Sequence, residues 1–365
     1  MNARTLVIVG LLLLALHASA VTAENIKIWG LTSNGTHAMV SYYKDDGFHT
    51  ALYDGSSFYE FPIPRKPVDL NRTAIDYEPN EWSYYDELNP VVVGYFNGTW
   101  IFDGLERLAF FDGRTFRVVF HPGCSACMVT EFKSGTHNAL FVSRTVTMLT
   151  YETVTMFDGG QFRWINITGD SIHVAYIPSR DSWLIYLRNG GDLYENSLYL
   201  YDGSLEKLLD FSEGFKVYSM DSNGSVVLLA TNYGLYSYNG TINKISTMDA
   251  YLVRWDGCWM LATSGGLFTY DGRNFTKITD PGIRIVYITR VNDFWLIAGV
   301  QKGQWRLLKY HDGMFEDLTS ELLNAKPWPP SDSDHLLQGS HERRIICLVC
   351  ALMLFSLLLL LKRRV

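Results

Sequence analysis

Cys124-Ser125-Ala126-Cys127 is the spacing in this chain that most directly suggests chemistry. In an oxidising compartment such a pair closes as a local disulfide between Cys124 and Cys127; left reduced, it is two structural thiols. Redox use of a C-x-x-C belongs to a βαβ setting, and no such pattern surrounds it. A zinc site needs two further ligands at readable spacing, and none stands nearby. His341-Glu342-Arg343-Arg344-Ile345 opens like the helix of a zinc protease but ends in Ile where the second His is required. The remaining His residues of 24–341 are scattered, with no i, i+4 pair. There is no G-x-S-x-G, no phosphate loop and no dinucleotide fingerprint, so neither a metal nor a cofactor is expected.

Two other groups of residues carry functional meaning. The stretch from Pro62 to Pro90 is aromatic and charged, and Trp82, Tyr84, Tyr85 and Asp86 are its candidate partner-binding residues. A loop of this composition either binds or covers one end of a fold. Seven N-x-[ST] sequons, at Asn34, Asn71, Asn97, Asn166, Asn223, Asn239 and Asn274, are candidate glycosylation sites.

The chain ends say where such sites would operate. Residues 1–23 hold Arg4, an apolar run from Leu6 to Leu16 and the small residues Ala18, Ser19, Ala20 and Ala23, the layout of a secretory signal peptide. From Ile345 to Leu361 runs an uncharged apolar segment between Arg343-Arg344 and Lys362-Arg363-Arg364. A helix over 345–361 would be about 26 Å long at ~1.5 Å per residue, close to a hydrocarbon core, with basic ends able to snorkel. The expected layout is therefore a signal peptide (1–23), an ectodomain (24–322), a Pro/Ser/Asp stalk (323–344), one transmembrane helix (345–361) and a cytoplasmic basic tail (362–365). The ectodomain would face the cell exterior.

Net charge is −7 for the whole chain and −12 for 24–341, once Arg4 (+1) and the segment 342–365 (+4) are taken out. An acidic surface of this kind excludes nucleic acid as a partner, whose phosphates need a basic face.

An internal repeat must supply the scaffold. An aromatic or His, then Asp or Asn, then Gly recurs at Tyr53-Asp54-Gly55, Phe111-Asp112-Gly113, Phe157-Asp158-Gly159, Tyr201-Asp202-Gly203, Tyr238-Asn239-Gly240, Tyr270-Asp271-Gly272 and His311-Asp312-Gly313. The glycines are 58, 46, 44, 37, 32 and 41 residues apart, a mean of 43. Asp-Gly and Asn-Gly accept positive φ and favour tight hairpin turns. The flanks alternate, as in Leu267-Phe268-Thr269-Tyr270 and Phe275-Thr276-Lys277-Ile278, and apolar strands such as Trp183–Leu187 and Trp295–Gly299 stand upstream. Four strands in ~40–45 residues make a propeller blade. The expectation is all-β, a seven-bladed β-propeller, with a sandwich or solenoid as the alternative.

Trp259-Met260-Leu261-Ala262-Thr263-Ser264-Gly265-Gly266-Leu267-Phe268-Thr269-Tyr270-Asp271-Gly272 resembles the blade repeat of two-component-regulator propellers, and Leu229 to Gly240 is a second copy. In that family the propeller is the sensor of a kinase; here only Lys362 to Val365 would lie in the cytoplasm, so a signal would pass through a partner. The C-terminus also resembles archaeal Cys-Gly-Pro sorting tails, with Cys347-Leu348-Val349-Cys350 in that place and no Gly-Pro. These features together imply a membrane-anchored extracellular propeller that binds or scaffolds a protein or glycan. The alternatives are a tethered glycan hydrolase or lyase, and a sensor subunit.

Overall fold

The computed structural model describes residues 26–328 except 45–46, 62–73, 78–90, 105–106, 114–115, 121–126, 146–149 and 191–193. The expected signal peptide, the apolar run 345–361 and the C-terminal tail lie outside these residues, as do Asn71, Trp82, Tyr84, Tyr85, Asp86 and Cys124. Among the described residues, no helix is long and apolar enough to cross a membrane.

The chain forms a seven-bladed β-propeller. Each blade is built on a meander of four consecutive antiparallel strands, and in blade 2 a fifth strand, Ala74–Tyr77, pairs antiparallel outside Phe116–Phe120. The innermost strands are Lys27–Ser33, Val91–Phe96, Cys127–Ser134, Ser171–Ile177, Val217–Ser222, Ala250–Trp255 and Arg284–Val291, in blades 1 to 7. All seven Asp-Gly or Asn-Gly signatures fall between the third and fourth strands of their blades. At each, the glycine has positive φ, from 81° at Gly313 to 115° at Gly203. The Asp side chain closes the turn: Asp54 Oδ1 accepts from the Ser56 and Ser57 amides at 2.7 and 2.8 Å, and Asp271 Oδ1 from Arg273 and Asn274 at 2.7 Å each. These two acids are part of the hairpins that they close.

Because both faces of a blade are covered by its neighbours, the apolar residues divide among the seams. One cluster joins Val142 and Ile165 of blade 3 to Val174 and Ile185 of blade 4; another joins Met260 and Ala262 of blade 6 to Ile288 and Ile297 of blade 7. Trp100, Trp183, Trp259 and Trp295 recur at the start of second strands and are all buried. The seam between blades 7 and 1 is sealed from the C-terminal side. After the last strand of blade 7, a short helix, Thr319–Leu323, places Leu322 against Tyr42 and Val40 of blade 1. Lys326–Pro327 then pairs in parallel with the outer strand Phe58–Glu60 of blade 1, and Trp328 meets Phe61 with ring centroids 5.0 Å apart. Of the segment expected as a stalk, residues 323–328 thus lie on the ring.

Candidate functional site

The innermost strands enclose a central channel with a cavity of about 470 Å³. Its wall places Glu131 and Lys133 of blade 3, His173 of blade 4, Asp221 of blade 5 and Arg254 of blade 6 around one space. Charges brought this close must pair, since a lone charge with little water around it is costly. Glu131 and His173 Nδ1 are 2.8 Å apart. Lys133 reaches past blade 4 to Asp221 at 2.9 Å, and Asp221 Oδ2 also accepts the Trp255 amide at 2.8 Å and faces Arg254 at 3.9 Å. Burial alone would raise the Asp221 pKa. Lys133, Arg254 and the Trp255 N–H outweigh that burial and hold it below the usual carboxylate range.

A second recess of about 410 Å³ opens at the end of the channel where the innermost strands begin. It gathers three acids, Asp103, Glu131 and Glu152, a cluster that would suit hydrolytic catalysis if the groups were free. They are engaged. Asp103 Oδ2 accepts the amide of Val129 in the next blade at 2.6 Å. Glu152 is held by Arg144 at 2.6 Å, and its other oxygen accepts the Ile172 amide of blade 4, also at 2.6 Å. The same device recurs with other chemistry: Ser41 Oγ accepts the Val92 amide at 2.9 Å, and Tyr251 accepts the Ile285 amide at 3.1 Å. In each case a polar side chain of one blade captures a backbone N–H of the next blade's innermost strand. The acids of the recess therefore fasten blade to blade. Its rim is aromatic: Tyr287 donates to the Trp29 carbonyl at 2.7 Å, and Lys27 Nζ lies 3.6 Å from the centre of the Trp29 ring.

The sequence-predicted residues sit elsewhere. Asn34, Asn97 and Asn223 occupy turns between first and second strands, Asn239 and Asn274 turns between third and fourth strands, and Asn166 the outer strand of blade 3. Asn34 is tied into its turn, its Oδ1 accepting from the amides of Thr36 and His37 at 3.0 and 2.8 Å, and its Nδ2 is buried. Asn223 Oδ1 likewise accepts from Ser225 and Val226. Cys127 is disulfide-bonded and Cys258 is a free thiol whose pKa burial raises. Among the described residues, no three His, Cys, Asp or Glu side chains are arranged to hold a metal.

Sequence reasoning missed the channel residues. A signal for three of them exists: Lys133, Asp221 and Arg254 each stand one residue before the end of an innermost strand. A charge at that position breaks the apolar pattern of the blade, but it shows only once the blades are aligned on their strands.

No protein-family model matches the chain, and no curated protein matches it. Solved structures share the fold at low identity. The β-propeller domain of the trilobed protease from Pyrococcus furiosus, described as having an open velcro topology, aligns with a TM-score of 0.51 at 14% identity, covering 81% of this chain and 98% of that one. A puromycin-hydrolyzing peptidase from Mycobacterium tuberculosis aligns at 0.58 and 10% identity, covering 84% and 55%. The acylaminoacyl peptidase of Pyrococcus horikoshii aligns at 0.51 and 13%, covering 81% and 52%. The chain thus spans about half the length of these two peptidases, and what it shares with all three is the propeller.

Proposed function

We propose that this chain is a membrane-anchored extracellular propeller that binds a partner at its channel mouth rather than transforming a substrate. One observation carries the reading: Asp103 and Glu152, which with Glu131 give the recess its acidic character, are spent on holding neighbouring blades together. What remains is a recess of about 410 Å³ with Trp29 and Tyr287 at its margin, a shape and rim suited to holding a group. The signal-like N-terminus and the apolar run 345–361 support the surface location, and the acidic charge supports exclusion of nucleic acid. A sensor role through a partner would use the same site.

The test is recovery of the intact protein from native membranes after mild crosslinking. A reproducible stoichiometric protein or glycan is expected, and its yield should drop when Trp29→Ala and Tyr287→Ala are combined. Repeated recovery of the chain alone, together with turnover of a polysaccharide by the purified protein, would replace binding with catalysis.

A further inference from the structure

We propose that the ring lies with one particular face against the headgroup layer of the membrane, the face where second and third strands connect; this rests on the membrane-anchored reading above. The topology defines the two faces. In a ring of four-stranded meanders, the connections between second and third strands gather at one end of the channel, and those between first and second and between third and fourth at the other.

All but one of the large exposed aromatic side chains gather toward one of these faces. Tyr151, Tyr194 and Tyr233 each stand immediately before the third strand of blades 3, 4 and 5, and are 40%, 43% and 48% exposed. Tyr43, 44% exposed, lies by the same connection in blade 1. Trp29 and Tyr218, also exposed, belong to the same end of innermost strands. Toward the opposite face the exposed large apolar residues among those described are Leu205, Met314 and a single aromatic, Trp164, which is 51% exposed on the outer strand of blade 3 near its Asp-Gly turn. Tyr and Trp favour the membrane–water interface, where the ring is in apolar surroundings and the polar end meets headgroups. Lys27, Lys44, Lys216 and Lys302 stand on this face together with Asp170, Glu213 and Asp249, a mixed charge that suits a zwitterionic layer.

The opposite face is built to be wet. It carries the acids of the tight turns, Asp54, Asp112, Asp158, Asp202, Asp271 and Asp312, and five sequons, Asn34, Asn97, Asn223, Asn239 and Asn274. A glycan or a crown of carboxylates pressed on headgroups would be costly to desolvate.

The exit of the chain agrees. Phe58–Glu60 runs away from its Asp-Gly turn toward the aromatic face, and Lys326–Pro327 runs parallel to it. Residues 329–344 separate this exit from Ile345 and reach at most ~55 Å when extended. A blade strand of seven residues is about 23 Å tall. The chain reaches a bilayer directly when the aromatic face is down; the inverted ring would spend nearly half of that reach running back along its own side. Lying this way, the ring turns the recess at Trp29 and Tyr287 toward the membrane plane, so its ligand comes from there.

The experiment uses the full chain reconstituted in phosphatidylcholine vesicles that carry an acceptor dye on a headgroup. An azide-bearing amino acid replaces Tyr233 or, at the other end of the same blade, Thr241, and takes a donor dye. Energy transfer from position 233 is expected to exceed that from 241 several-fold. Equal transfer, or more from 241, overturns the orientation. In the variant with Tyr43, Tyr151 and Tyr194 each changed to Ser, the difference should shrink at least twofold while the chain stays in the membrane after alkaline carbonate. A difference that the variant leaves intact shows that the aromatics are not the contact. Loss of transfer at both positions, with extraction by carbonate, overturns the anchored reading itself. Crosslinking in native membranes that covers Tyr233 with a protein, with equal transfer in vesicles, assigns the face to that protein instead.

Discussion

At the scale of single residues, the channel shows how an acidic chain tolerates charges in its interior. Asp221 is compensated by Lys133, Arg254 and a backbone amide. Asp221→Asn removes the charge that Lys133 needs, and an unpaired charge so placed costs about 3–5 kcal/mol. Urea unfolding at neutral pH should show that loss; a change under ~1 kcal/mol would mean that the pair is solvated. Because the folded pKa of Asp221 is depressed, its contribution is complete above the ordinary carboxylate pKa of about 4 and disappears as pH falls toward the lowered value. The difference between wild type and Asp221→Asn should therefore narrow below about pH 4 and stay flat above it.

At the scale of strands and turns, two glycines separate close approach from turn geometry. A β-carbon on Gly30 would stand 2.4 Å from the carbonyl oxygen of Val92, in the innermost strand of the next blade. That atom is backbone and cannot swing away, so Gly30→Ala should cost about 3 kcal/mol or more by overpacking. Gly272 has φ of 98° and open space around it, so Gly272→Ala meets only backbone strain, about 1–2 kcal/mol. Paired denaturation curves check the order, and an equal cost would contradict the close contact between blades 1 and 2. The closing helix offers a third case. Leu322 is wholly buried in the seam of blades 7 and 1, and Leu322→Ala should cost about 2–5 kcal/mol. If thermal unfolding is unmoved, the ring is closed by other contacts.

At the scale of the whole molecule, the sequons become a map of exposure. Asn97, Asn166, Asn239 and Asn274 are exposed, whereas the Nδ2 of Asn34 is buried and Asn223 is half-buried in its turn. Glycopeptide mass spectrometry of the protein from its native membranes should find the exposed four occupied and Asn34 bare. A glycan on Asn34 would mean that its turn opens before the ring is complete.

The repeat was legible because it is local physics. Alternation of apolar residues makes strands, Asp-Gly and Asn-Gly make hairpin turns, and seven such turns spaced by a blade length leave little other than a propeller. The turn acids at Asp54 and Asp271 were equally readable, since each closes a loop within three residues of itself. Apolar runs at both ends carry the expectation of export and anchoring in the same local way. The candidate site was not legible. Its wall takes one strand from each blade, so Glu131 meets His173 and Lys133 meets Asp221 across intervals that no motif spans. Nor does any local pattern say that Asp103 and Glu152 would accept amides of the next blade. The same closure sorts Tyr151, Tyr194 and Tyr233 onto one face and the sequon turns onto the other. Strand and turn energies act within a few residues and are written in the chain; the channel and the two faces arise only when the ring closes.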